Sequence, residues 1–164
     1  VVVVAGVGVD DQIDSFPAVL GELIGREVSA LGTSGASTVD GVDLCEQIDT
    51  DACGLVIVTL GGNDIMQQLP YDETEKNLET IFTSLQTRGA VVVFTCVLSP
   101  LSVSRGRKYK ALCKRTGVLF VPNIMAGIIT DPTLRTDEVH PNAKGYRLIA
   151  ERIATTLKAA RLVD

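Results

Sequence analysis

Four short runs of mainly aliphatic and β-branched residues punctuate the chain, at 1–4, 55–60, 90–97 and 118–121, with a weaker fifth at 27–31. They are continuous apolar runs, which suits strands covered on both faces, as in a parallel sheet. Between them, helical patterns occupy 16–24, 39–48, 73–87, 102–116 and about 141–160. In the last of these Tyr146, Ile149, Ile153 and Leu157 recur on one face, and Pro141 suits the first turn. Strand and helix alternate five times, which predicts an α/β fold, a three-layer α/β/α arrangement around a five-stranded, parallel, doubly wound sheet. No repeat, low-complexity stretch or linker interrupts the pattern, so one domain over 1–164 is expected.

Composition narrows this picture by exclusion. Hydrophobic residues make up 46% and charged residues 21% of 164 positions, a globular balance. No apolar run approaches the ~20 residues that cross a bilayer, so a soluble protein without a membrane span is expected. The net charge is -5, and the basic residues Arg105, Arg107, Lys108, Lys110, Lys114 and Arg115 fall at helical spacing, where a solvated face explains them. No nucleic-acid partner is therefore expected. Cys45, Cys53, Cys96 and Cys113 lack CxxC spacing and have one histidine to join them, which argues against structural zinc. Cys96 closes an apolar run and reads as a buried thiol, while pairing of Cys45 with Cys53 depends on the compartment. The chain starts inside a strand without an initiator Met, so the compartment, cytoplasmic or periplasmic and secreted alike, stays open.

In a doubly wound sheet, ligands bind beyond the carboxyl ends of the strands. The segments to search are 5–15, 32–38, 61–68, 98–104 and 123–140, and the polar and glycine-rich stretches fall in them. TLGGNDIM leaves the third expected strand, the run at 55–60, where two glycines permit a sharp turn and the Asn63 amide can donate to a developing negative charge. Alternatively, Asn63 and Asp64 cap the next segment. TDEVHPNAKGY holds the only histidine, His140, three residues after Asp137. A carboxylate beside an imidazole fixes its tautomer and stabilises the imidazolium, as a general base requires. Asp137 as a helix-entry cap with an incidental histidine is the other explanation. In ALGTSGASTVDG, Gly32 and Gly35 can turn backbone N–H groups toward an anion, or Ser37 or Thr38 simply caps the following helix. Ser34 sits in G-T-S-G, which is not the spacing of a nucleophile elbow.

Gly35, then Gly61-Gly62-Asn63-Asp64, then Asp137-x-x-His140-Pro-Asn-Ala-x-Gly-Tyr resemble, in that order, the SGNH hydrolases of the GDSL esterase and lipase superfamily. The similarity runs over almost the whole chain and is closest to the small arylesterase, lysophospholipase and thioesterase branch. It implies a flavodoxin-like sheet and a serine esterase that works through an acyl-enzyme on aryl, short-chain or lysophospholipid-type esters or thioesters, with no cofactor and no metal. It also implies His140 as general base, Asp137 as its orienter, and Gly35 and Asn63 as oxyanion-hole donors. Ala30 stands where the family often carries a non-catalytic asparagine. Loops 66–72 and 98–105 are expected to set acyl length.

The nucleophile is the exception. The family's first block reads as a strand, then Gly-Asp-Ser-Leu-Thr-Ala-Gly-Tyr-Gly-Val, a linker and Ser-Phe-Pro-Ala-Leu-Leu. Here SFPAVL fits the end and AGVGV the middle, but Gly-Asp-Ser-Leu-Thr is absent between Val4 and Ala5. Either the turn is lost, leaving a non-catalytic domain that binds a lipid or acylated glycan, or those residues are omitted. Retention of Asn63, Asp137 and His140 together favours omission. Ser15 and Ser34 are poor substitutes, since one opens a helix and the other belongs to the loop expected to offer the Gly35 N–H. A nucleotide or flavin binder using AGVGVDD is a weaker alternative, because G-x-G-x-x-G is lacking.

Overall fold

The computed structural model describes residues 1–6, 15–98 and 102–164. Strands β1 (Val2–Ala5), β2 (Ser29–Leu31), β3 (Leu55–Thr59), β4 (Val91–Thr95) and β5 (Leu119–Val121) form one sheet in the order β2-β1-β3-β4-β5. Every pairing is parallel, as the continuous apolar runs require. Successive side chains point to opposite faces, so Val4, Val56, Val58 and Phe94 pack on one side and Val3, Ala5, Ile57 and Val93 on the other. Helices α1 (Phe16–Ile24) and α6 (Ala143–Ala159) cover the second face; α2 (Thr38–Glu46), α4 (Tyr71–Thr87) and α5 (Val103–Thr116) cover the first. Two apolar cores result, one per face of the sheet.

The chain runs from β1 out to the edge strand β2, then returns past β1 to β3. That reversal opens a crevice at the carboxyl ends of β1 and β3, where an open parallel sheet places its ligands. Gly6 lies directly beyond one of these ends, and Gly61 two residues beyond the other.

Several boundaries differ from the sequence expectation. β1 includes Ala5, which stands opposite Thr59 while Val4 stands opposite Val58, so the Val4–Ala5 link lies inside the strand and carries no turn. The final helix starts at Ala143 rather than Pro141, because the Asn142 side chain accepts the Gly145 N–H at 3.1 Å and caps it. Pro141 instead forms an isolated antiparallel bridge with Arg135. A five-residue helix, α3 (Gly62–Met66), and a 3-10 turn at Pro132–Leu134 are additional elements too short for periodicity to reveal. Ser37 does cap α2, in a capping box completed by Asp40, which accepts the Ser37 N–H at 2.8 Å.

All four cysteines are buried free thiols, and burial pushes Cys45, Cys96 and Cys113 up to about 12. No bond joins Cys45 to Cys53. Among the described residues, no helix is long and apolar enough to cross a membrane.

Candidate active site

The segment between the 3-10 turn and α6 folds back on itself. Thr136 N–H donates to the His140 carbonyl at 2.9 Å, closing the loop backbone. Inside that loop Asp137 Oδ1 accepts both the Val139 and the His140 N–H at 2.8 Å, while Oδ2 stands 2.7 Å from His140 Nδ1. Asp137 therefore caps its own loop, and Asn142, not Asp137, caps the helix. The Val139 N–H, then the His140 ring and N–H, hold the Asp137 carboxyl down at about 2. With Asp137 ionised, Nδ1 carries the proton and donates, which leaves Nε2 with a lone pair. Both side chains are half exposed, and among the described residues Nε2 has no hydrogen-bond partner.

The second cluster joins three distant segments. β3 ends in a tight turn with Gly61 at φ 103°, a left-handed conformation that glycine adopts freely, and α3 then presents Asn63. Asn63 Nδ2 donates to the Ala36 carbonyl at 2.9 Å and the Gly6 carbonyl at 3.3 Å. The Gly35 N–H donates to that same Gly6 oxygen at 2.9 Å. Two donors thus converge on one point, and a backbone carbonyl of this chain occupies it. Only glycine fits at position 6, because a Cβ there would collide with the Ala36 carbonyl and the Asn63 amide.

Asp64 locks this cluster from below, a role the sequence did not reveal. Fully buried, it accepts the Thr38 N–H at 3.0 Å, the Thr38 hydroxyl, and the Thr74 hydroxyl at 3.1 Å. Asn77 adds a bond to the Thr38 hydroxyl at 3.2 Å, and Gln67 Nε2 holds the Gly35 carbonyl at 3.2 Å. Neither Asn63 nor Asp64 caps α3, whose N-cap is Gly61. Its neighbours in G-G-N-D made Asp64 look like part of a turn; its partners lie 26 and 10 residues away.

A cavity of about 390 Å³ opens between the two clusters. Ser34, Gly35, Asn63 and His140 form its polar edge, while Leu60, Ile65, Val97, Leu98, Met125 and Ile129 supply apolar wall. All four expected site residues of the described chain, Gly35, Asn63, Asp137 and His140, thus fall at or beside one cavity. Ser15 does not line it and is buried at the start of α1. Residues 7–14, which contain most of the AGVGVDD stretch, and 99–101 of the 98–105 loop lie outside the described residues. No group of three metal-ligating side chains gathers among those that are described.

A sequence model of the GDSL-like lipase/acylhydrolase family matches residues 3–148. The chain belongs to this family. Among solved structures, TesA superposes with a TM-score of 0.84 at 21% identity, covering 96% of this chain and 98% of its own. The psychrotrophic esterase EstA from Pseudoalteromonas sp., inhibited by monoethylphosphonate, gives 0.82 at 17% identity with 98% of each chain covered. AlinE4, an SGNH-hydrolase family esterase, gives 0.71 at 25% identity with coverage of 98% and 94%. No curated protein sequence matches. The five-stranded parallel sheet is the fold of these SGNH structures, and the hydrolase family has esterases among its structural neighbours.

Proposed function

We propose that this GDSL-family chain hydrolyses carboxylic esters or thioesters with a small apolar acyl group, using His140 as general base and Asp137 to orient it. The observation that carries the proposal is the 2.7 Å Asp137–His140 pair, with His140 lining a largely apolar cavity. A histidine held this way takes a proton from an attacking hydroxyl or water and returns it to the leaving alcohol or thiol. The Asp137 carboxylate stabilises the imidazolium between those two transfers. The cavity volume lies toward the small end of ligand sites, which favours aryl and short-chain acyl esters over long-chain lipids. No metal or organic cofactor is required by this chemistry.

A second function, binding an acylated ligand without cleaving it, is favoured by one observation. The Gly35 N–H and the Asn63 amide already serve the Gly6 carbonyl, so the donors that would stabilise an oxyanion are engaged. Hydrolysis of p-nitrophenyl acetate separates the two. Turnover well above that of a His140→Ala variant supports the hydrolase; equal turnover, with the ester still bound, supports the binder.

A further inference from the structure

We propose that Tyr109 is a positioning residue for Asn63, a step that rests on the hydrolase function proposed above. Asn63 is carried by α3, and a helix of five residues does not hold itself in water. The chain enters it through Gly61 and Gly62, residues of the type with the most backbone freedom. An amide that is to meet a developing oxyanion must nevertheless stay within about 0.5 Å of its place. Asp64 anchors α3 toward α2 and α4. The glycine turn before it needs a support of its own.

One turn of α5 supplies that support. Tyr109 is fully buried, and its hydroxyl lies so close to Gly61 that a Cβ there would stand 3.1 Å from Oη. A Cβ on Gly62 would meet Val97 Cγ1 at 3.0 Å, so the turn is wedged between the phenol and Val97. Arg105, four residues before Tyr109 on the same helix face, donates from Nη2 to the Leu69 carbonyl at 2.9 Å and pins the far end of the segment. The Tyr109 ring stands edge-on to Phe94 in the core, with centroids 5.3 Å apart.

The hydroxyl is the part that points to function. A buried tyrosine usually finds a hydrogen-bond partner for its oxygen. Here Tyr109 Oη and Arg105 Nη1 are both buried and make no regular hydrogen bond among the described residues, although the guanidinium lies beside the phenol. Burial pushes the phenol up to about 12, so it stays protonated and uncharged at neutral pH. For the fold alone a phenylalanine would pack as well and leave no polar atom unsatisfied. What the oxygen adds is bulk directly against Gly61. Without it the turn settles toward α5 and draws the Asn63 amide away from the point on which it converges with the Gly35 N–H.

Kinetics with p-nitrophenyl acetate on the wild type, Tyr109→Phe, Asn63→Ala and the double variant test this, together with thermal melting and amide proton–nitrogen correlation spectra. Tyr109→Phe should melt within a degree or two of the wild type. It should lower kcat by about 10-fold and leave KM within about twofold, since a misplaced transition-state donor acts on kcat. In the Asn63→Ala background the same change should have no further effect on kcat. Its spectrum should show displaced Asn63 side-chain and Gly35 N–H resonances and an unmoved His140 loop. A kcat at the wild-type level overturns the proposal, and so does a loss that persists without the Asn63 amide or that follows a fall in melting temperature. Wild-type turnover no faster than that of His140→Ala would remove the hydrolase function instead, and the spectra would still decide: unmoved Asn63 and Gly35 resonances overturn the positioning, and displaced ones retain it.

Discussion

The two halves of the site are built in opposite ways. The half proposed to supply the base, Asp137 and His140, is exposed, lies within four consecutive positions and is held by bonds inside its own loop. The half proposed to form the oxyanion site draws Gly6, Gly35 and Asn63 from three separate strand ends and is anchored by the buried Asp64. A local device keeps its geometry when the surroundings shift, whereas a device assembled from distant segments depends on the sheet that aligns them. Substitutions in the first half should therefore alter chemistry with little effect on stability. Those in the second should alter both.

The largest effect is expected at His140. General-base catalysis contributes roughly 10²–10⁴-fold, so His140→Ala should lower p-nitrophenyl acetate turnover by that order while the melting temperature stays within a degree or two. A fall in stability as large as that of a core substitution would break the contrast, because the loop would then carry the fold as well as the chemistry.

Asn63→Ala comes next and probes the mixed half. If its amide serves the transition state, kcat falls by about 100-fold or more. The same change also strips the Ala36 carbonyl of a 2.9 Å donor and should cost about 1–2 kcal/mol in chemical denaturation. Lost stability with kcat intact would assign Asn63 to holding the Gly35 loop alone.

How much of this was readable before the fold was known follows the same division. Asp137-x-x-His140 was legible because both partners sit in one short loop, and spacing alone brings them together. The strands were legible because a doubly covered sheet demands unbroken apolar runs, as at Leu55–Thr59. Pro141 suits a first turn by its own geometry, but Asn142 offers the stronger cap and starts the helix after it. Gly6 and Asp64 were opaque for a different reason: each matters through partners reached only after β1 and β3 lie side by side. A sequence records neither that adjacency nor which carbonyl faces which amide.

Asp64→Ala should reveal the anchoring of the second half without touching the cavity. It leaves the Thr38 N–H and the Thr38 and Thr74 hydroxyls without their acceptor in a fully buried site. Buried donors left unsatisfied cost about 1–3 kcal/mol each before relaxation, so a net loss of about 2–4 kcal/mol is expected in urea unfolding. A loss below about 0.5 kcal/mol would show that the second loop holds itself in place through the Ser37–Asp40 capping box.

The smallest and most selective effect is the pH dependence of the base half. Asp137 is depressed from 3.8 to about 2, so its contribution to the folded state is complete above the unfolded value and is lost only as pH falls through the folded one. Between about pH 5 and 8 it remains ionised, and any acid limb in kcat/KM must come from another group. Histidine is the side chain that ordinarily titrates there, and only its neutral form has a lone pair on Nε2. Activity should therefore fall as pH drops through that window, with the melting temperature unchanged by Asp137. An Asp137→Asn variant keeps a hydrogen-bond acceptor but removes the charge that favours the imidazolium, so its turnover should fall while its fold is kept. Turnover that stays in place would mean that Asp137 orients the ring without stabilising its charge, and that the exposed half works through geometry alone.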